Sequence, residues 1–139
     1  MASTEKLQLT LLSPERRLLE GATVDSILLT GTEGQIEILP GHAPMVGTLE
    51  TGFFKYKIQG DTRENAGVIS SGFFEVHDNK VVVMAETLEL KGEINVERAR
   101  KAQALAEQTL KEASLEPGKF NKYQLKLQRS LIRQQVAGK

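Results

Sequence analysis

The residues of this sequence that are best spaced to act together are four basic residues near its C-terminus. They follow one another at intervals of four, three and four residues: Lys122, Lys126, Arg129 and Arg133. In an α-helix this spacing places all four within roughly 60° of arc. No acidic residue follows Lys119, so the segment has no internal ion pairs to offset the repulsion between these cations. This basic stripe is therefore either a solvated face or a binding surface for an acidic partner.

Hydrophobic residues help to choose between these two readings. One set shares a separate face of the same helix and can pack on a neighbouring helix: Phe120, Tyr123, Leu127 and Leu131. A second set borders the basic stripe and is left over: Leu125, Ile132 and Val136. Because a stripe bordered by spare hydrophobic side chains is more typical of a contact, the pattern favours an acidic protein partner.

Residue types needed for independent catalysis or metal binding do not occur in suitable patterns. The two histidines, His42 and His77, have no metal-ligand spacing, and the absence of cysteine removes thiolate ligands and nucleophiles. There is no Gly-x-Ser-x-Gly turn and no phosphate-binding loop. The glycine-rich run at 31–34 carries Glu33 and no lysine, which suits phosphate poorly. We predict a protein that is not an enzyme, with no metal site and no required cofactor.

The charge is divided along the chain. Residues 1–92 carry 8 Lys/Arg and 13 Asp/Glu, a net of −5, whereas residues 93–139 carry 10 and 5, a net of +5. Such a reversal predicts two surfaces with different partners, the alternative being two ordinary solvated faces. The first residues resemble neither a signal peptide nor a transit peptide, and no apolar run approaches 18 residues, so membrane association is expected only through a partner.

The first ninety residues have the pattern of alternating apolar residues and frequent turns that is typical of a β domain. Leu7, Leu9 and Leu11 alternate with polar residues, which is the period of a half-buried strand. Turn residues separate the further runs, and Asp78-Asn79 suits a two-residue hairpin. The predicted strands cover 6–12, 22–30, 35–39, 52–59, 64–70, 73–77 and 80–85. Many short strands with frequent turns predict an antiparallel β-sandwich of two packed sheets, which we assign to residues 1–91.

The remaining residues, 92–139, predict an antiparallel helical hairpin. Asn95 is a good N-cap with Glu97 in the first turn, and a helix is predicted from 96 to about 114. Glu116-Pro117-Gly118 is predicted to end it, and a second helix should run from 120 to about 136. The first helix offers only a thin stripe of mostly small side chains for packing: Val96, Ala99, Gln103, Ala106 and Leu110. We therefore expect weak packing.

Four stretches together resemble the epsilon subunit of bacterial F-type ATP synthases. They are residues 30–44 (TGTEGQIEILPGHAP), residues 71–85 (SGFFEVHDNKVVVMA), residues 94–99 (INVERA) and the basic second helix. The resemblance covers essentially the whole chain, and residues 39–44 are its most specific part. Glu37 stands where the family has glycine, a difference to which we attach no function.

The resemblance implies a central-stalk rotor subunit of a proton- or sodium-driven ATP synthase. Its sandwich would bind the gamma subunit and the c-ring, and its helices would inhibit ATP hydrolysis by facing acidic loops of the beta subunits in the alpha/beta assembly. The basic stripe would make that inhibitory contact. The expected location is peripheral, on the cytoplasmic face of the bacterial inner membrane, attached only through the complex.

The resemblance also implies roles for individual residues. Glu33 and His42 would lie near the c-ring, the alternative being that residues 40–44 only set a fixed turn with His42 exposed on it. Some relatives bind ATP between the helices, which here would involve Asn95, Arg98, Arg129 and Arg133. Asn95 replaces the family's Asp and carries no charge, which speaks against nucleotide binding, so ATP would be at most a weak regulatory ligand. The alternative is that Asn95 only caps the helix.

Two other functions fit parts of the sequence. One is a free-standing nucleotide-sensing module that acts by rearrangement of its helical hairpin, which direct titration with ATP would distinguish. The other is a nucleic-acid-binding helix, suggested only by the basic stripe. Few aromatic residues accompany that stripe and the preceding domain is acidic, so we predict no nucleic-acid partner.

Overall fold

The computed structural model describes residues 6–112 and 116–138. In these residues, nine strands precede a short 3₁₀ helix (Lys91–Glu93) and two α-helices, α1 (Val96–Leu110) and α2 (Pro117–Ala137). The strands are β1 (Leu7–Leu12), β2 (Arg17–Gly31), β3 (Gly34–Ile38), β4 (Met45–Leu49), β5 (Gly52–Ile58), β6 (Glu64–Ile69), β7 (Gly72–His77), β8 (Lys80–Ala85) and β9 (Leu88–Leu90). The predicted fold class, a β-sandwich followed by a helical hairpin, is confirmed.

The long strand β2 belongs to both layers of the sandwich. Its first half pairs with β1, which continues through β8 and β7 to β4. Its second half pairs with β3 on one side and with β5 on the other, and this layer continues from β5 through β6 to β9. Gly21, at φ +61°, lies where the β1 register shifts, so the strand can bend between layers. All pairings are antiparallel except β1–β8, which is parallel.

Alternating strand residues form one core between the two layers. Its largest fully buried side chains include Phe54, Phe74, Leu9 and Ile27. The predicted alternation at Leu7, Leu9 and Leu11 is confirmed, since all three are fully buried. At about 25 cal/mol per Å² of apolar surface, such a core is the main source of stability for the domain.

Several predicted boundaries were wrong. Strand β2 begins five residues before the predicted 22, and β4 and β9 were missed. Helix α1 ends at Leu110, while the predicted end near Ser114 lies outside the described residues. Pro117 does not end α1 but occupies the first turn of α2. Backbone N–H groups in the first turn have no partner within the helix, so the N–H that proline lacks is not missed, and the fixed φ of proline suits a helix.

The helices pack as the thin stripe on α1 predicted, but the predicted apolar face of α2 is only partly covered, with Tyr123 and Leu127 half-buried. Ala99 and Ala106 of α1 are buried against α2. On α2 the buried residues are Ser130 and Val136, whereas Phe120 and Leu131 of the predicted apolar face remain 40% and 45% exposed. The reason is that α2 lies against β5, β6 and the 3₁₀ helix as well as α1, and so must bury the sector between these neighbours.

Candidate functional surfaces

The basic stripe lies on the side of α2 that faces the sandwich. Its last member, Arg133, makes a two-pronged ion pair with Glu89 of β9: Nε to Oε1 at 2.7 Å and Nη2 to Oε2 at 2.9 Å. The two side chains are only 19% and 28% exposed. An ion pair with two hydrogen bonds in such a site is a strong interaction. The loss of either partner leaves a partly buried charge without a counter-charge.

A cleft of about 380 Å³ surrounds this ion pair at the junction of sandwich and hairpin. Arg129 of the stripe lines it, and so does a second ion pair, between Arg16 Nη1 and the two Glu93 carboxylate oxygens at 3.1 and 3.0 Å. The Leu90 N–H also donates to Glu93 Oε1 at 2.9 Å. This N–H and, secondarily, the Arg16 guanidinium hold the pKa of Glu93 below its usual value. The start of the hairpin is thereby tied to the β1–β2 turn.

Towards the other end of α2, the stripe stands apart from the sandwich. A groove of about 920 Å³ separates the helix from the strand ends, with Lys122 and Lys126 on one wall and Glu50 and Glu86 on the other. Within the described residues, no ion pair crosses this groove. Lys126 instead lies over the Tyr123 ring, with Nζ 5.0 Å from its centroid. The stripe is thus paired at its C-terminal end and unpaired at its N-terminal end.

The hydrophobic residues that border the stripe divide in the same way. Val136 is buried beside Phe53 and Ala66 of the sandwich, and Ile132 is half-buried. Leu125 remains 58% exposed. Docking of α2 therefore uses the C-terminal end of the helix.

The residues predicted for nucleotide binding are not brought together. The Asn95 side chain accepts the Arg98 N–H at 3.0 Å, so the cap is confirmed and this oxygen is occupied. Gln103 contacts Gln134 at 2.7 Å, which fixes the alignment of the antiparallel helices. Counted from this contact at 1.5 Å per residue, Arg98 and Arg129 lie about 15 Å apart along the hairpin axis. The cleft around Arg129 and Arg133 is lined by neither Asn95 nor Arg98.

Glu33 and His42 lie beyond opposite ends of β3. Glu33 is exposed in the β2–β3 turn, next to Thr48 of β4, whereas His42 follows β3 and is half-buried rather than exposed. The intervening strand spans roughly 15 Å. Residues 39–42 form a turn closed by the His42 N–H and the Leu39 carbonyl at 3.2 Å, with Gly41 at φ +87°. This is the geometry of a type II turn with proline and glycine at its centre.

Sequence reasoning missed an apolar surface on the outside of the first sheet. Its members lie on four adjacent strands and form the outer apolar patch: Leu12, Val46, Phe73 and Met84. Val46 is 73% exposed, and Phe73 and Met84 are close to half exposed. Leu12, Phe73 and Met84 line a cavity of about 700 Å³. The signal was present, because hydrophobic residues occupy both faces of β7 and β8, but periodicity alone does not say which face is outside.

Neither described helix is long and apolar enough to cross a bilayer. Among the same residues, no group of three His, Asp or Glu side chains is arranged to hold a metal ion.

The comparisons with known proteins cover both segments of the chain. Residues 6–91 match the beta-sandwich domain of the ATP synthase delta/epsilon chain, and residues 93–138 match its long alpha-helix domain. Two similar relatives are the ATP synthase epsilon chains of Trichlorobacter lovleyi, 41% identical, and Geobacter sulfurreducens, 42% identical. Each alignment spans 135 residues, 97% of this chain and 96% of the relative.

Solved structures resemble the whole fold at lower identity. A chain in the mitochondrial ATP synthase of Euglena gracilis has a TM-score of 0.80 at 24% identity, covering 96% of this chain and 81% of that one. A chain from the central stalk and c-ring of the Tetrahymena thermophila enzyme has a TM-score of 0.70 at 15% identity, covering 98% and 99%. These likenesses concern the fold alone. The matches to both domains and the close bacterial relatives establish that the chain belongs to the ATP synthase delta/epsilon chain family.

Proposed function

We propose that this chain is the epsilon-type, non-catalytic subunit of the ATP synthase central stalk. It couples rotation of the c-ring to the catalytic F1 part and inhibits ATP hydrolysis through its helical hairpin. The observation that supports inhibition by a releasable hairpin is its sparse attachment. Among the described residues of α2, Val136 is the one buried apolar side chain that lies against the sandwich, and the Glu89–Arg133 ion pair lies near it, whereas Ala99 and Ala106 pack α1 on α2.

Small side chains make this attachment weak in free-energy terms. Alanine and serine bury little apolar surface, and Val136 supplies at most about 1.5–3 kcal/mol. An equilibrium between docked and released hairpins that lies within a few kcal/mol of balance can be shifted by a partner that prefers one state. The hairpin is therefore suited to regulation.

The unpaired end of the stripe is the part available to a partner while the hairpin is still docked. Lys122 is exposed at the groove, and Leu125 lies beside it with its side chain largely in solvent. We propose that acidic loops of the beta subunits bind this end first. Arg129 and Arg133 follow once the Glu89–Arg133 ion pair has broken, and the whole basic stripe then contacts the alpha/beta assembly.

The sandwich offers separate surfaces for the gamma subunit and the c-ring. The outer apolar patch suits gamma, since exposed apolar surface of this kind marks protein contacts. If both Glu33 and His42 contact the c-ring, β3 must lie along the ring, and the exposed Gln35 and Glu37 between them then face it too. The bound subunit is peripheral, on the cytoplasmic face of a bacterial inner membrane, and either a proton- or a sodium-driven enzyme fits.

Addition of the chain back to an F1 complex that lacks it tests this function. The full chain should suppress ATP hydrolysis, whereas a version that ends at Gly92 should bind without suppression. A triple variant of the stripe, Lys122→Ala, Lys126→Ala and Arg129→Ala, should inhibit less. A matched triple on α1 and its C-cap, Arg100→Ala, Lys101→Ala and Lys111→Ala, removes the same charge from exposed positions and should inhibit normally. Failure of the full chain to bind would contradict the proposal.

Nucleotide sensing by the free chain is the second candidate, and the geometry gives it less support. The Asn95 oxygen is engaged in the helix cap and Arg133 is engaged by Glu89, so ATP would have to displace both contacts. We propose that ATP is not required and binds weakly at most. Calorimetric titration of the isolated full chain with ATP decides this, because tight binding would favour the sensing module.

A further inference from the structure

Asn79 connects three segments at one end of the sandwich. It lies in the two-residue β7–β8 turn, with its backbone in the left-handed region at φ +59°. Its side-chain Oδ1 accepts the Gly41 N–H at 2.6 Å, and its carbonyl accepts the Gln8 N–H at 2.8 Å. The β7–β8 turn is thus attached both to the start of β1 and to the turn that presents His42.

The contact with Gly41 is the one side-chain hydrogen bond from the sandwich to loop 39–44 among the described residues. The other bonds in this loop are internal: His42 N–H to the Leu39 carbonyl, and His42 Nδ1 to the Ala43 carbonyl at 2.7 Å. Internal bonds fix the shape of a turn, but they do not fix where the turn sits on the domain. The Asn79 side chain does the latter.

We propose that Asn79 is a positioning residue for the His42 loop, holding it at a fixed place for contact with the c-ring. The identity of the partner rests on the function proposed above, whereas the attachment of the loop does not. Asn79 itself need not touch the partner. Its neighbour Asp78, also at positive φ, contacts only His77, at 3.2 Å within the described residues, and supplies a matched comparison.

The first test measures the attachment in the isolated full chain. Asn79→Gly keeps a residue that tolerates positive φ but removes the acceptor, while Asn79→Asp keeps an oxygen acceptor at the same place. We expect amide exchange at Gly41 to become roughly tenfold faster in Asn79→Gly, the effect of losing one hydrogen bond. Exchange at Gly41 should stay near the parent value in Asn79→Asp and in Asp78→Gly. Unchanged exchange in Asn79→Gly would overturn the proposal.

The second test measures position in the assembled ATP synthase. The chain has no cysteine, so His42→Cys and, separately, Glu33→Cys give single thiols at opposite ends of β3 for cross-linking to the c-ring. Adding Asn79→Gly should reduce the His42→Cys yield and leave the Glu33→Cys yield unchanged. An equal fall at both positions, or no fall at either, would overturn local positioning by Asn79. If His42→Cys does not cross-link to the c-ring in the variant that retains Asn79, the proposed contact of His42 with the c-ring is wrong. Amide exchange at Gly41 still decides whether Asn79 holds the loop.

Discussion

The sandwich and the hairpin of this chain are stabilised in opposite ways. Seventeen buried hydrophobic residues, with at least one from each of the nine strands, form one continuous core in the sandwich. The hairpin buries two alanines, one serine and one valine in its helices. Since buried apolar surface supplies most of the stability of a fold, the sandwich is a rigid platform and the hairpin a weakly attached element. Both properties suit the proposed function, in which the subunit transmits rotation and also switches.

The largest effect is expected in the sandwich core. Phe54 is fully buried and stacks on Tyr56 with ring centroids 6.0 Å apart. Phe54→Ala should lower the free energy of unfolding by about 3–5 kcal/mol, through lost burial and the cavity left behind. Denaturant titration measures this change, with the exposed Leu105→Ala as the control that should shift it by less than about 0.5 kcal/mol. A small effect of Phe54→Ala would show that the platform is softer than its packing indicates.

A substitution between the helices should loosen α1 from α2 and spare the sandwich. Ala106 is buried against α2, so Ala106→Glu introduces a larger, charged side chain there and should cost about 1–3 kcal/mol of the packing free energy between the helices. Amide exchange should rise in the helices and stay slow in β5 and β6. Ala104→Glu, at an exposed position of α1, is the matched control. Faster exchange throughout the chain would mean that the two regions unfold as one unit.

Loss of the Glu89–Arg133 ion pair should shift the hairpin less. Glu89→Gln leaves Arg133 without a counter-charge at a partly buried site, and we expect a cost of about 1–2 kcal/mol to docking. In the F1 assay this appears as stronger inhibition, by roughly tenfold for each 1.4 kcal/mol. Glu97→Gln removes the exposed partner of Arg100 and should have little effect. Weaker inhibition by Glu89→Gln would mean that the pair does not hold the docked state.

The smallest effect is a dependence of stability on pH from Glu93. Its pKa is held below the usual 4.5 by the Leu90 N–H and by Arg16. The folded chain therefore binds fewer protons there than the unfolded chain. The stabilisation is present above pH 4.5 and is lost as the pH falls through the lowered value. Thermal unfolding in mildly acidic buffers should show a shallower loss of stability for Glu93→Gln than for the parent chain. The same loss of stability at low pH in Glu93→Gln and in the parent chain would contradict this role of Glu93.

The sequence predicted most of the sandwich and little of how the hairpin docks. Alternation located seven strands because period 2 is a local property of the chain. It missed β4, where Gly47 interrupts a short run, and β9, which has only three residues. The buried face of α2 could not be found from its hydrophobic residues alone, since the polar Ser130 is buried while Phe120 and Leu131 stay exposed. Glu89 and Arg133 are 44 residues apart, and only the fold makes them partners.

Strand β2 has a mechanical consequence if the chain turns with the rotor as proposed. Its 15 residues belong to one layer at their beginning and to the other at their end. In a sandwich whose layers touch only through side chains, a sideways load is resisted by packing, which can slide. Here the backbone of β2 is hydrogen-bonded to strands of both layers. A torque applied at the outer face of one layer is therefore transmitted to the other layer through the β2 backbone, with little sliding of one layer on the other.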